Sequence, residues 1–452
     1  MKRCSGTAWR GWTAPAVVAV SVFLAGCGGE TGDTGSERAD PETVQLLVFG
    51  APEELAAYRT LVDAYEASAP GANVQLIEAS DRDDLIARLS TSISGGEPPD
   101  LFLMNYRYYG QFAARDAIEP LDERIASSGV VDAGDYYPVA MEAFRWQDRQ
   151  LCIPQNISSL VVYYNRDLFE QYGVAEPEPG WAWNDLVATA TALTRDAAGR
   201  VVSGTESEGG PTPVVVYGLG IEPSMIRLAP FVWSNGGEVV DDPERPTRFT
   251  LDTPEAREVL ENFVDLRIAY GVVPTDEEVE AEDDESRFVN GRLAMLMSSR
   301  RVTTTFRASA QFDWDVAALP TYDRPAGILH SDAYCMTAAS AHKDDAWSFL
   351  EYAVSAAGQE VIAATGRTVP SNIEVSESAA FLDDQAPANA QVFLDAIPNV
   401  RAITTVSTWP EIEDVTNGIL ENALYRGDRL DDVLADLDEA TGPILARGES
   451  PE

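Results

Sequence analysis

The stretch Leu151–Gly173, LCIPQNISSLVVYYNRDLFEQYG, predicts a chain that leaves one β-sheet and enters another. Cys152 lies in a short apolar strand, and Pro154 ends it because proline lacks a backbone donor and has a fixed φ. A polar segment follows, and the β-branched and aromatic run Leu160–Tyr164 then predicts a second strand. Gly173 is placed to end the short helix that comes next. A strand, a polar crossing and another strand are typical of an inter-domain hinge, although two consecutive strands of one sheet remain the alternative.

Apolar strands alternate with amphipathic helices between residues 44 and 104. The predicted strands are Val44–Phe49, Val74–Ala79 and Leu101–Met104. Their β-α-β-α-β order predicts a parallel sheet covered by helices. Ligands of such sheets bind beyond the carboxyl ends of the strands. Gly50–Glu53 and Asn105–Tyr109 are therefore expected at the mouth of a cleft.

Six short motifs run along the chain in a fixed order. They are GGEPPDL at Gly95–Leu101, YNRDLF at Tyr164–Phe169, FVWSNGGE at Phe231–Glu238, FVNGRLAM at Phe288–Met295, AWSFL at Ala346–Leu350 and TGR at Thr365–Arg367. In this order they resemble the carbohydrate-type solute-binding proteins of bacterial ABC importers, the maltose-binding-protein-like cluster. The series covers nearly the whole mature chain.

The resemblance implies an α/β chain with a two-lobed periplasmic-binding-protein-like fold. Each lobe would be a mostly parallel sheet flanked by helices, with hinge crossings between the lobes. The expected lobe 1 comprises residues 43–153 plus 330–385, and lobe 2 comprises residues 154–329 plus 386–446. A monomer is expected, with the transmembrane subunits of an ABC permease as its partner.

The N-terminus is typical of a secreted lipoprotein. Basic residues precede the apolar run Ala14–Leu24, which is too short to span a bilayer as a stable helix. Leu24-Ala25-Gly26-Cys27 follows and resembles the bacterial lipobox, so residues 1–26 are predicted to be a signal peptide and Cys27 to carry the lipid. Residues 27–42 lack apolar periodicity and are predicted to be a flexible tether. The expected location is extracytoplasmic, anchored by lipid to the cell membrane; a plain secretory signal with a chance cysteine is the alternative.

The 452-residue chain is strongly acidic, with a formal net charge of -42. Such a charge argues against nucleic acid and anionic lipid as partners, because both would be repelled. Only Lys2 and Lys343 are lysines, so the cationic groups are almost all arginines. Genome base composition explains this bias most simply, and a saline habitat is a second explanation.

Two cysteines remain in the mature chain besides Cys27, because Cys4 leaves with the signal peptide. Cys152 and Cys335 lie in apolar runs that would be strands near the hinge in the family. An oxidising compartment would allow them to pair. The sequence leaves two alternatives for this pair, a disulfide and two buried free thiols.

Sequence motifs of catalysis are absent. The chain has no P-loop, HExxH, GxSxG or CxxC motif, and its two histidines, His330 and His342, are too few for a multi-histidine metal site. No enzymatic activity, metal or cofactor is therefore predicted. A glycosidase pair could be hidden among the many carboxylates, so a secreted glycan-active enzyme is kept as a minor alternative.

Sugar binding needs flat aromatic faces for pyranose C–H surfaces and planar polar groups for the hydroxyls. Candidates are taken where the family places its site, after strands and within crossings. The candidate ligand-binding residues are Asn105, Tyr106, Arg107, Tyr108, Asn156, Trp233, Arg300, Arg301, Asp332, Arg367 and Trp409. Around Asp332 the sequence His330-Ser331-Asp332 departs from the Gly-rich stretch of the family. A packed aromatic ring or a solvated charge is the alternative at each position.

The sequence thus favours a lipid-anchored receptor of an ABC importer that binds a sugar, oligosaccharide or polyol between two lobes. A receptor for a phosphate-bearing polyol or another small metabolite is the nearest alternative. Arg107, Arg300, Arg301 and Arg367 favour that alternative if they converge, whereas the overall acidity opposes it. A chemosensory or adhesive lipoprotein without a transport role is a further alternative.

The lipobox yields a first testable prediction. Cys27→Ala removes the thiol that would carry diacylglycerol, so the precursor should stay uncleaved and should incorporate no radiolabelled palmitate. Equal palmitate incorporation in the variant and the wild-type chain would contradict the predicted anchor.

Overall fold

The computed structural model describes residues 43–202, 204 and 213–450, and the structural statements below concern these residues. The predicted signal peptide, lipidation site and tether at residues 1–42 lie outside them.

The described residues form fourteen strands. They are β1 (Val44–Phe49), β2 (Val74–Ala79), β3 (Leu101–Asn105), β4 (Arg145–Trp146), β5 (Arg149–Gln150), β6 (Cys152–Pro154), β7 (Val161–Asn165), β8 (Arg195–Asp196), β9 (Val214–Gly220), β10 (Leu293–Ser298), β11 (Trp314–Ala317), β12 (Gly327–Ile328), β13 (Asp332–Met336) and β14 (Val400–Arg401).

Eighteen α-helices lie between these strands or after the last of them in the described part of the chain. They are α1 (Pro52–Ser68), α2 (Arg82–Gly95), α3 (Tyr106–Ala113), α4 (Asp122–Ser127), α5 (Pro138–Glu142), α6 (Arg166–Tyr172), α7 (Trp183–Leu193), α8 (Met225–Ser234), α9 (Pro254–Ile268), α10 (Asp276–Ala281), α11 (Asp284–Val289), α12 (Thr303–Ser309), α13 (Lys343–Val354), α14 (Ala356–Ala363), α15 (Ile373–Ser376), α16 (Gln391–Ala396), α17 (Trp409–Arg426) and α18 (Leu430–Leu445). Within this part of the chain, no helix combines the length and apolar character that crossing a membrane requires.

Two five-stranded sheets organise the fold. The first has the strand order β2-β1-β3-β13-β6, and the second has the order β11-β7-β10-β9-β8. β6 and β7, the two strands of the stretch Leu151–Gly173, lie in different sheets. The interpretation of this stretch as a crossing between sheets is therefore confirmed, and the single-sheet alternative is wrong.

Both sheets are mixed rather than mostly parallel. β1 pairs in parallel with β2 and β3, and β9 with β10, but β13 runs antiparallel to β3 and β7 antiparallel to β10. The reason lies in where the crossings enter. β13 begins at Asp332 opposite Asn105, the last residue of β3, and β7 begins at Val161 opposite Ser298, the last residue of β10. A strand that starts where its neighbour ends must run in the opposite direction.

The two crossings lie side by side. Ser158 of the first crossing donates its backbone N–H to the carbonyl of His330, and His330 donates back to the carbonyl of Ser158, each at 2.9 Å. A third segment runs beside them, since the Ile157 N–H donates to the carbonyl of Val369 at 2.9 Å. Backbone hydrogen bonds thus fix the polar crossings at the edge where β3 and β10 end.

The cysteines at the base of the crossings are bonded. Cys152 of β6 lies directly opposite Cys335 of β13, and the structure joins them in a disulfide with Cα atoms 4.4 Å apart. That separation lies within the range that a disulfide requires. Both side chains are fully buried.

This disulfide predicts a stability effect and a thiol count. It spans 183 residues of sequence, so its removal enlarges the conformational freedom of the unfolded chain. Cys152→Ala combined with Cys335→Ala should lower the free energy of unfolding in urea by about 2–5 kcal/mol. The chain from Thr43 onward, denatured without reductant, should show no thiol reactive to a colorimetric reagent, whereas two reactive thiols would contradict the bond.

Candidate ligand-binding cleft

A cavity of about 290 Å³ lies where the strands of both sheets end and the crossings pass. We call it the central cavity. It is lined by Phe49, Glu54, Arg82, Asn105, Arg107, Asn156, Ser158, Glu222, Ile226, Arg227, Ser299, Arg300, Arg301, His330, Asp332, Arg367, Thr368, Glu413 and Asn417.

Strand ends and crossings explain much of this lining. Phe49 and Asn105 are the last residues of β1 and β3, which are parallel and so end at the same edge of the first sheet. Glu222 and Ser299 follow β9 and β10, which are parallel in the second sheet. The first crossing contributes Asn156, so the cavity combines both sheets and the connection between them.

Asp332 is held by amide groups from two other segments. The Asn105 Nδ2 donates to Asp332 Oδ1 at 3.1 Å, and the backbone N–H of Asp332 donates to Asn156 Oδ1 at 2.7 Å. Burial raises the pKa of the Asp332 carboxyl above its usual range, although the bond from Asn105 and nearby arginines oppose this shift. Three predicted residues therefore meet in one hydrogen-bonded group.

A buried ion pair connects α3 to α17. Arg107 Nη1 donates to Glu413 Oε1, and both side chains are buried. The Tyr108 hydroxyl donates to the same oxygen at 2.7 Å, and the Trp409 indole N–H donates to Oε2 at 3.1 Å. Burial is the largest single effect and lowers the pKa of the Arg107 guanidinium, but Glu413, Tyr108 and Tyr106 together outweigh it, so the pKa is raised. The Glu413 carboxylate thus accepts hydrogen bonds from three side chains, those of Arg107, Tyr108 and Trp409.

A second ion pair joins the start of α1 to the loop after α14. Arg367 Nε lies 2.6 Å from Glu54 Oε2, and Arg367 Nη1 donates to the carbonyl of Arg301 at 3.3 Å. Burial raises the pKa of Glu54, with Arg367 acting in the opposite direction. Arg367 therefore connects α1, which follows β1 of the first sheet, to the segment that follows β10 of the second sheet.

Arg300 has its guanidinium enclosed by protein. Its Nε donates to the carbonyl of Gly366 at 2.8 Å, and its guanidinium carbon lies 4.7 Å from the ring centre of Phe381 and 4.9 Å from that of Phe393. Its Nη1 and Nη2 are buried and find no hydrogen-bond acceptor among the described residues. Burial lowers the pKa of Arg300 to about 10. This side chain supports the turn that carries Arg367.

Seven of the eleven predicted site residues line the central cavity. They are Asn105, Arg107, Asn156, Arg300, Arg301, Asp332 and Arg367. The other four, all aromatic, are buried in the fold instead and do not belong to this lining. They are Tyr106, Tyr108, Trp233 and Trp409.

The tryptophans do not fit the expected stacking role. Trp233 is the penultimate residue of α8, a helix in which every residue is buried, and the Arg401 guanidinium covers its ring at 4.5 Å. Trp409 is completely buried, with its indole N–H committed to Glu413. Both rings pack inside the protein, so neither offers a face to the central cavity.

The two tyrosines also have structural partners. The Tyr106 hydroxyl accepts the backbone N–H of Ile403 at 3.2 Å. The Tyr108 ring is covered by the guanidinium of Arg82 at 4.2 Å, and its hydroxyl bonds Glu413. They orient α3 so that Arg107 reaches the central cavity.

Twelve lining residues were missed. They are Phe49, Glu54, Arg82, Ser158, Glu222, Ile226, Arg227, Ser299, His330, Thr368, Glu413 and Asn417. Phe49 and Glu222 had a usable signal, because each lies at or just after the end of a buried strand. Arg227 and Glu413 lie inside helices α8 and α17, and only the packing of those helices brings them to the cavity.

Comparison with protein-family models identifies the class of protein. Residues 51–360 match the family described as bacterial extracellular solute-binding protein. The match covers more than half of the chain, and the chain therefore belongs to this family.

Individual relatives are distant but align over much of their length. A binding protein of Brucella abortus strain 2308 is 22% identical over 420 residues, which is 91% of this chain and 95% of the relative. The maltotriose-binding protein of Pyrococcus abyssi is 24% identical over 310 residues, covering 67% of this chain and 60% of that protein.

Solved structures share the fold. An ABC substrate-binding protein of Listeria monocytogenes in complex with cycloalternan has a TM-score of 0.79 at 24% identity, covering 89% of this chain and 98% of that one. A receptor of Streptomyces glaucescens, studied unliganded and with acarbose, has a TM-score of 0.75 at 20% identity, with coverages of 90% and 98%. The two-lobed periplasmic-binding-protein fold is thereby confirmed. Membership in a family of solute-binding proteins also confirms the prediction that the chain is not an enzyme.

The Arg107–Glu413 pair predicts a stability effect. Glu413→Gln leaves the Arg107 guanidinium buried without its counter-charge, so the free energy of unfolding should fall by about 3 kcal/mol. Glu411→Gln on the same helix is the control, because its pair with Arg447 is half-exposed and should contribute less than about 1 kcal/mol. Urea unfolding of both variants checks this, and equal destabilisation would contradict the role of the buried pair.

Proposed function

We propose that this chain is the lipid-anchored substrate-binding component of an ABC importer and that it binds a sugar or polyol in the central cavity. It would deliver this ligand to the transmembrane subunits of a permease. The observation that carries the proposal is the position of the cavity, which is lined by strand ends of both sheets and by the crossings between them.

The chemistry of the lining suits hydroxyl groups. Asn105, Asn156, Asn417 and Asp332 are planar donors or acceptors, which are the groups that orient sugar hydroxyls. Phe49 is the one Phe, Tyr or Trp side chain among the described lining residues, so one C–H face of a ligand could stack there. A cavity of about 290 Å³ is small for a ligand pocket and favours a monosaccharide or polyol over a long oligosaccharide.

The ligands of related proteins support this class of ligand. One relative is a maltotriose-binding protein, and similar structures hold cycloalternan or acarbose. A similar structure from Mycobacterium tuberculosis holds glycerophosphocholine, with a TM-score of 0.75 at 20% identity. Carbohydrates therefore predominate in these comparisons, and one phosphate-bearing polyol derivative accompanies them.

Ligand binding would favour a closed arrangement. A ligand that contacts the strand ends of both sheets gains part of its binding free energy only when the two sides are close together. Arg367 already spans the two sides through Glu54 and the carbonyl of Arg301. The bound, closed form is the one that a permease would recognise.

The lipid anchor rests on the N-terminal sequence. Leu24-Ala25-Gly26-Cys27 would place the lipid on Cys27, the first residue of the tether of residues 27–42. The folded part, a monomer in this proposal, would then stay beside the membrane that contains its permease. Family membership supports the extracytoplasmic location.

A ligand screen tests the proposed function. A panel of neutral and acidic monosaccharides, disaccharides and polyols is added to the pure mature chain, and thermal unfolding is followed. A ligand present at ~100 times its Kd stabilises the folded state by about 2.7 kcal/mol, which raises the melting temperature measurably. Failure of the whole panel to raise it would contradict the proposal.

A cavity variant then locates the binding. Asp332→Asn should weaken the identified ligand about tenfold or more in calorimetric titration, because it replaces an acceptor oxygen by an amide donor and a buried group left without its hydrogen bond costs about 1–3 kcal/mol. Asp323→Asn, at an exposed position outside the lining, is the matched control and should leave the affinity unchanged. Unchanged binding by both variants would place the ligand elsewhere.

A further inference from the structure

The central cavity has an unusual charge for this chain. Six arginines and four carboxylates line it among the described residues, whereas the whole chain carries a formal net charge of -42. A neutral polyol needs no excess of positive charge. The cavity thus differs in sign from the chain as a whole.

The positive groups converge around His330. Arg227 Nη1 lies 3.5 Å from His330 Nε2, and Arg227 Nη2 donates to Glu222 Oε2 at 3.0 Å. The pKa of His330 is well below its usual range, because of burial first and then because of Arg227, Arg107 and Arg301. The pKa of Glu222 is also lowered, and Arg227 is the largest cause. The same three arginines therefore produce a positive potential at two separate side chains.

Beside His330, arginine side chains still have N–H groups that are not fully used by protein acceptors. Arg227 is buried, its Nε has no hydrogen-bond partner in the described part of the chain, and its contact with His330 is long. Arg301 pairs with Glu285 through Nη2, but its side chain is 47% exposed and also lines the central cavity. Arg107 donates through Nη1 to Glu413 and through Nε to Asn105 Oδ1 at 3.2 Å, so it contributes mainly through its charge.

We propose that the natural ligand carries an anionic group, a carboxylate or a phosphate ester, that binds between Arg227 and Arg301 beside His330. This inference rests on the proposed function, because it specifies the class of sugar or polyol that the same cavity takes. Arginine suits such a group, since its fork of N–H donors matches both carboxylate and phosphate oxygens.

Glu222, one of the carboxylates of the cavity, should affect an anionic ligand and a neutral ligand in opposite directions. Glu222 already occupies one face of Arg227, so it competes with an anionic ligand for the same donors. Removing its charge by Glu222→Gln should therefore strengthen an anionic ligand. If the ligand were neutral, Glu222 could only accept its hydroxyls, and the same change should weaken binding.

A matched ligand series tests the proposal on the mature chain by calorimetric titration. It pairs glucose with glucuronate and glucose 6-phosphate, and glycerol with glycerol 3-phosphate. The anionic member of at least one pair should bind about tenfold or more tightly than its neutral parent, and the preferred member distinguishes carboxylate from phosphate.

Three variants complete the test. Arg301→Gln should weaken the preferred anion about tenfold or more and its neutral parent by a clearly smaller factor, because only the anion loses a charge interaction. Glu222→Gln should strengthen the anion about threefold or more. Arg429→Gln, whose side chain is 79% exposed and outside the lining, is the control and should change neither affinity.

Histidine resonances supply a direct readout of position. The chain has only two histidines, so in an NMR spectrum of histidine-labelled protein the anion should shift the signal of His330 and leave that of His342 in place. Binding of neutral members with no preference for the anions would overturn the inference and leave the proposed function standing. Failure of every member to bind would count against both, and equal loss of neutral and anionic ligands in Arg301→Gln would overturn the inference alone.

Discussion

The reciprocal backbone hydrogen bonds between Ser158 and His330 are the constraint on which the rest of the structure depends. They hold two crossings together, and each crossing delivers its strand to the edge where the parallel strands of a sheet end. The same constraint makes both sheets mixed and places polar side chains from the crossings among strand ends. Fold and cavity therefore have one cause, which is the geometry of a chain that passes twice between two sheets.

Much of this arrangement could be predicted from the sequence. Asn105 was chosen because it follows a buried strand, and Asn156 and Asp332 because they lie in the two crossings, and all three line the central cavity. Position along a strand is a local property, and apolar periodicity reports it well.

Other parts of the site could not be predicted from local pattern. Trp233 and Trp409 look alike as large rings beside polar residues, but helix packing turns both into the core. Arg227 and Glu413 were missed because each lies within a helix, and only the packing of that helix against the rest of the fold places its side chain in the cavity lining. The prediction of mostly parallel sheets was also wrong, because no local sequence pattern indicates the direction in which a strand enters a sheet after a crossing. Seven of eleven candidates reached the cavity, and all four that did not were aromatic.

The strand order has a consequence for how the chain assembles during its synthesis, which proceeds from the N-terminus. All five strands of the second sheet lie between Val161 and Ala317, so that sheet can be completed by a continuous piece of chain. The first sheet must wait, because β13 separates β3 from β6 and is complete only at Met336. The earliest strands to be synthesised thus belong to the last sheet to close, and the edge of β3 stays unpaired until β13 has been made.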